Sequence, residues 1–137
     1  MHEVVVGALV REGRVLLVHR SPNRIAYPDV WDLPGGHVET NESELGALAR
    51  ELHEELGVRI VAGSASHLCR LSAGSGAESV LLSAWLVSDW QETPTNAAPE
   101  EHDEIRWFPL DELPPLAHEL LGKVLVDAMG APPFLSS

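Results

Sequence analysis

Residues 36–58 read GHVETNESELGALARELHEELGV, from Gly36 to Val58, directly after Pro34-Gly35. This stretch sets a dense group of carboxylates on one short helix behind a Pro-Gly-Gly turn. The spacing predicts a helix over 42–56, ended by Gly57 in the position that follows a helix C-terminus. Its N-terminal cap is expected from Asn41 with Glu44, or from Thr40 with Ser43. At about 100° per residue, Leu45, Leu48, Ala49, Leu52 and Leu56 share one stripe, the expected core face. Glu44, Glu51 and Glu55 run together along its exposed edge, with Glu51 and Glu55 as i and i+4 neighbours. Glu54 lies further toward solvent. The stretch holds no Lys and one Arg, Arg50. Clustered carboxylates are unfavourable without a positive partner, and the partner this points to is a metal ion.

Outward from this helix the chain alternates strands and turns. Residues 4–10 and 14–20 are β-rich and flank Arg11-Glu12-Gly13, which reads as a hairpin. A Pro-containing loop covers 21–29, and a short strand 30–33 is stopped by Pro34-Gly35-Gly36. Strand is expected over 58–71 with a break at Gly63, then a Gly/Ser-rich connection over 72–78 and strand again over 79–88. A polar loop covers 91–103, a strand 104–108, an amphipathic helix 114–129, and a tail 131–137. Strands, a helix, more strands and a second helix imply an α/β fold: one mixed β-sheet flanked by helices on both faces. No linker or repeat divides residues 1–137, so a single domain is expected.

Nine Lys and Arg stand against 21 Asp and Glu, a net charge of −12. Such a surface repels a nucleic-acid duplex or an anionic membrane. It accepts an anionic small ligand if a divalent cation bridges it to carboxylates. The only cysteine, Cys69, excludes an intramolecular disulfide and reads as a small core residue, consistent with a reducing compartment. No leader-like segment and no apolar run of membrane length is present, so a soluble cytoplasmic protein, monomer or homodimer, is expected.

The chemistry converges on the 35–55 region. Gly35-Gly36 permits backbone conformations closed to other residues, so that a main-chain carbonyl can turn to a ligand. Glu51, Glu55 and the adjacent Glu54 supply hard oxygen donors, which suit Mg²⁺ or Mn²⁺ rather than zinc. Neither HExxH nor CxxC occurs. Tyr27 and Trp31 stand just before this region, where a base could stack on them or the core could bury them. His37 and His53 read as surface histidines. His19, His67, His102 and His118 show no ligand-like spacing.

Gly36, five residues, Glu42, seven residues, then Arg50-Glu51-Leu52-x-Glu54-Glu55-x-Gly57-Val58 resembles the Nudix hydrolase box at every defining position. The lead-in Trp31-Asp32-Leu33-Pro34-Gly35 and the segment Glu104-Ile105-Arg106-Trp107-Phe108-Pro109-Leu110 resemble the small, MutT-like branch. The resemblance implies a Nudix α/β/α sandwich that hydrolyses a nucleoside diphosphate linked to another moiety. It also implies Mg²⁺ held by Glu51, Glu54, Glu55 and the Gly36 carbonyl, with Arg50 orienting the glutamates and Glu42 as its partner. Water attacks phosphorus, and a carboxylate takes the proton. The base is a box glutamate or one of Glu100, Glu101 and Glu104, with Glu101 favoured by its place six residues before Trp107.

Markers of other branches are missing. The place of the ADP-ribose-type Pro holds Gly74, no Tyr of the dinucleoside polyphosphate type stands nearby, and no Gln-Pro-Trp-Pro-Phe core occurs. The expected substrate is therefore a nucleoside triphosphate, including oxidised dGTP or a pyrimidine dNTP, cleaved to the monophosphate and pyrophosphate. The alternatives are an ADP-ribose or nucleotide-sugar pyrophosphatase, or a catalytically idle domain that senses a nucleotide. The nucleoside would meet the loops 23–31 and 91–103, with Asn23, Asn96 and the carboxylates near Glu101 offering hydrogen bonds to a base edge.

Overall fold

The computed structural model describes residues 2–25, 27–74 and 76–129. The tail expected over 131–137 lies outside them. Alternation in the first two strands builds both faces of the sheet. β1 (His2–Arg11) and β2 (Arg14–Arg20) are antiparallel neighbours. Glu12 and Gly13 join them, both at positive φ (54° and 75°), the turn whose twist matches that of paired strands. Val5, Leu9, Leu16 and Val18 point to one face, and Val6, Ala8, Val10, Val15 and Leu17 to the other.

β1 is central. It runs parallel to β7 (Val80–Val87), from His2↔Val80 to Leu9↔Val87, and antiparallel to β4 (Gly35–His37). β6 (Ala65–Ala73) continues the sheet beyond β7. On the other side, β2 carries both β3 (Trp31–Asp32) and β9 (His102–Pro109). β5 (Arg59–Ile60) and β8 (Trp90–Gln91) pair separately. Helix α1 (Glu44–Leu56) covers one face of this seven-stranded sheet through Ala47, Leu48, Leu52 and Leu56. Helix α2 (Glu119–Met129) covers the other through Leu121 and Leu125. This is the expected mixed sheet with helices on both faces. A Cβ at Gly7 would stand 2.9 Å from Leu48 Cδ1 and 3.2 Å from Leu52 Cδ1, so the bare glycine is what lets α1 approach the sheet.

Several boundaries differ from expectation. α1 begins at Glu44 rather than at residue 42, because Ser43 is the N-cap and its hydroxyl accepts the Gly46 N–H at 3.0 Å. Neither Asn41 nor Thr40 supplies the cap. Gly57 does end the helix, at φ 72°. The buried stripe includes Ala47 and Glu55, whereas Leu45 and Ala49 are only partly covered. α2 starts at Glu119, not at residue 114. Leu116 bridges to Trp31 in parallel and the Ala117 N–H donates to the Trp31 carbonyl at 3.1 Å, so this segment is committed to extended pairing. The break at Gly63 is a single 3₁₀ turn over Ala62–Ser64. Cys69 lies half-buried in β6 against the α2-side core.

Candidate active site

Arg50 organises the first half of the site. Its Nε donates to Glu42 Oε2 at 2.8 Å, Nη2 to Glu42 Oε1 at 2.9 Å and to the His37 carbonyl at 3.0 Å, and Nη1 to Glu51 Oε1 at 2.9 Å. Glu54 lies 3.6 Å from Nη1 and Glu39 lies 3.9 Å from Nη2. The bidentate pair with Glu42 holds that carboxyl at about 2, with the Glu39 N–H assisting. Glu42 also receives the Glu39 N–H at 3.0 Å, which fixes it outside the helix. Arg50 and Glu42 are thus partners, as the motif implies, and Arg50 reaches both Glu51 and Glu54.

The second half is buried. Glu55 is not at an exposed edge as expected; it is 2% exposed. Its Oε1 faces the Gly35 N–H at 3.4 Å and His102 Nε2 at 3.4 Å. Burial pushes its pKa well above the carboxylate range. A hydrogen-bonded contact with Glu51 and the charges of Glu51 and Glu101 add to the rise, while the Gly35 N–H opposes it. Gly36 lies directly over Glu51: a Cβ there would come within 2.5 Å of the Glu51 carboxyl carbon. Gly35, at φ 155°, lies against β1, where a Cβ would meet the Val5 carbonyl oxygen at 2.0 Å.

Two facing carboxylates, one of them buried, beneath a backbone stripped of side chains form a place for a hard cation. Mg²⁺ keeps several waters and is held by one or two carboxylates together with substrate phosphates. Glu51, Glu55 and the Gly36 main chain are a donor set of that kind. Among the described residues, no three His, Cys, Asp or Glu side chains converge as an all-protein cage would. Glu44, expected alongside Glu51 and Glu55, is spent elsewhere. It accepts from Ser83 Oγ at 2.6 Å, Arg70 Nη2 at 2.8 Å and Trp85 Nε1 at 3.0 Å. Burial alone would raise its pKa, but these donors outweigh that and hold it low.

The two loops expected to meet the nucleoside do come together. The Ser21 N–H donates to the Glu101 carbonyl at 3.0 Å, and His19 bridges Asp103 (2.7 Å) and Asp29 (3.4 Å). Glu101 stands within electrostatic range of Glu55. Tyr27 is exposed, with its ring edge-on to His118 at 4.8 Å. Trp31 is half-buried among His19 and Phe108, both at 4.9 Å, with Arg106 over its face at 5.2 Å. Asn96 Nδ2 donates to the His102 carbonyl at 2.7 Å, and its Oδ1 is buried without a protein partner. A groove of about 910 Å³ lies away from the carboxylates, lined by Leu113, Leu116, Gly122 and Val126.

Three further residues, Arg20, Asp32 and His102, have no role assigned from the sequence. Arg20 lies within electrostatic range of Asp32, Glu55 and Glu101, and its carbonyl and Nε anchor Asp29 and Tyr27 of the 21–29 loop. Asp32 is 6% exposed, and burial raises its pKa to about 6. His102 is 3% exposed. Sheet register pairs Arg20 with His102 and Val18 with Asp32.

The site thus consists of carboxylates on a helix, braced by one arginine beneath a diglycine. The NUDIX domain model matches residues 1–128. CTP pyrophosphohydrolase of Escherichia coli (strain K12) is 36% identical over 114 residues, 82% of this chain and 78% of that protein. A putative 8-oxo-dGTP diphosphatase 2 of Mycobacterium tuberculosis is 50% identical over 58 residues, only 42% of this chain and 40% of that protein. The crystal structure of a MutT NUDIX hydrolase from Burkholderia pseudomallei superposes with a TM-score of 0.82 at 31% identity, covering 93% of this chain and 97% of that one. The chain belongs to the Nudix family, in its MutT-like branch, and is a pyrophosphohydrolase of nucleoside diphosphate-linked substrates.

Proposed function

We propose that this chain cleaves a nucleoside triphosphate to the monophosphate and pyrophosphate, with cytidine nucleotides first among the candidates and oxidised dGTP second. The observation that carries the reading is the Glu51–Glu55 pair under Gly36, braced by Arg50 and Glu42. The base preference takes its support from the likeness to a CTP pyrophosphohydrolase across most of both chains. Glu51, Glu55 and the Gly36 carbonyl hold Mg²⁺ or Mn²⁺, with Glu54 able to reach a second ion or a water. When bound, the cation neutralises phosphate oxygens and makes water a stronger nucleophile. Arg50 keeps Glu51 and Glu54 oriented. Glu101 takes the proton from the attacking water, a role supported by its charge acting on Glu55. Tyr27, with its exposed ring, and Trp31, with the uncovered part of its face, stack on the base.

Mg²⁺-dependent release of pyrophosphate is measured across CTP, dCTP, the other nucleoside triphosphates, 8-oxo-dGTP and ADP-ribose. Turnover of a triphosphate with pyrophosphate as product supports the reading. Turnover of ADP-ribose alone, or full turnover in excess chelator, overturns it. Trp31→Ala is expected to raise KM more than it changes kcat. Glu101→Gln is expected to act mainly on kcat.

A further inference from the structure

The last turn of α1 is closed by the loop that follows β8. The Thr95 N–H donates to the Leu56 carbonyl and the Ala97 N–H to the Glu55 carbonyl, both at 2.9 Å. These bonds satisfy two of the carbonyls that a helix C-terminus leaves open. Between them, Asn96 Nδ2 donates to the His102 carbonyl at 2.7 Å. The N–H groups of Glu101 and His102 both donate to the Ala98 carbonyl, at 2.9 and 3.0 Å. Residues 95–102 are therefore a closed loop fastened to the helix end that bears Glu55. The loop delivers the buried His102 ring against the buried Glu55 carboxylate, Nε2 to Oε1, at 3.4 Å.

The other ring nitrogen decides where the proton sits. His102 Nδ1 is buried without a hydrogen-bond partner among the protein atoms, as is Asn96 Oδ1. A proton on Nδ1 would find no acceptor there, whereas on Nε2 it faces a carboxylate oxygen. The ring therefore brings a directed N–H to the site. The Gly35 N–H meets the same oxygen from the opposite element at 3.4 Å. Both contacts are long for hydrogen bonds.

We propose that His102 is a positioning residue: its Nε2–H, with the Gly35 N–H, holds Oε1 of Glu55 and so sets how that carboxylate presents itself to a divalent cation. Groups behind a metal ligand commonly act in this way. The inference rests on the reading of Glu51 and Glu55 as cation ligands.

The test is Mn²⁺ affinity by calorimetry for the wild type, His102→Gln, His102→Asn and His102→Leu, with metal-free melting temperatures and kcat beside it. The amide nitrogen of Gln reaches the place of Nε2, and that of Asn only the place of Nδ1. His102→Gln should stay within about threefold of wild-type affinity, while His102→Asn and His102→Leu should weaken Mn²⁺ by about tenfold or more, with kcat falling in parallel. Equal affinities throughout, or a Gln variant as weak as the Leu variant, would overturn the role of Nε2–H. So would an affinity loss that merely tracks melting temperature across the three variants. If the wild type binds no Mn²⁺, the reading of the carboxylate site has failed, and this inference falls with it.

Discussion

Glu55 is enclosed on one side by Gly35 and His102 and faces Glu51 on the other, and its burial disfavours its charged form, which a cation beside it would favour. Glu51→Gln and Glu55→Gln should each lower kcat by about a hundredfold or more, read from pyrophosphate release at saturating Mg²⁺. Near-normal rates in both would place the chemistry elsewhere. Asp32 gives a pH-dependent test. Its folded pKa of about 6 exceeds the ordinary 3.8, because burial penalises its charge. The penalty is absent below pH 4, grows as pH rises to about 6, and is then complete at roughly 3 kcal/mol. Asp32→Asn keeps an oxygen for the Leu33 N–H, which Asp32 Oδ1 accepts at 2.9 Å, and removes the charge. Urea midpoints should therefore match wild type near pH 4 and exceed it at pH 7. A variant no more stable than wild type at pH 7 would contradict the penalty.

Among the elements, β4 has two glycines with different duties, and alanine scanning should separate them. In Gly35→Ala the new Cβ meets main chain, the Val5 carbonyl oxygen at 2.0 Å. The strand pair must part, and a loss of several kcal/mol in urea unfolding is expected, on the order of 3 or more. In Gly36→Ala the Cβ meets the movable Glu51 carboxylate at 2.5 Å, so most of the loss should fall on metal affinity and kcat. Equal stability losses in the two variants would count against a ligand-facing Gly36. α1 was legible in the sequence because its leucines repeat with helical spacing and Gly57 ends it. The burial of Glu55 was not legible. An angular projection places it beside the leucine stripe, but what covers it, the Gly35 main chain and His102, belongs to other elements. His102, Asp32 and Arg20 were invisible for the same reason: strand register, not spacing along the chain, brings them in. The start of α2 was misjudged because Leu116 and Ala117 pair with Trp31, a tertiary contact that overrides an amphipathic pattern.

At the scale of the whole molecule, a net charge of −12 is carried by a fold in which Glu51 and Glu101 both act on the buried Glu55. A divalent cation that binds only the folded form should raise the melting temperature, by an amount that grows with concentration. Glu51→Gln should raise metal-free stability slightly and remove that response. A response unchanged in the variant would put the ion at a different place. Among the described residues, no helix is long and apolar enough to cross a membrane. The parallel pairing of β1 with β7 has a consequence for how the protein is made. The central strand is made before its parallel neighbour, which follows roughly 80 residues later, several seconds at about 5–20 residues per second. For that interval the central strand has only its hairpin mate and the short β4 beside it, and one edge stays open to other nascent chains. Slow synthesis over residues 40–80 would lengthen this exposure, so the yield of folded protein depends on translation speed there as well as on final stability.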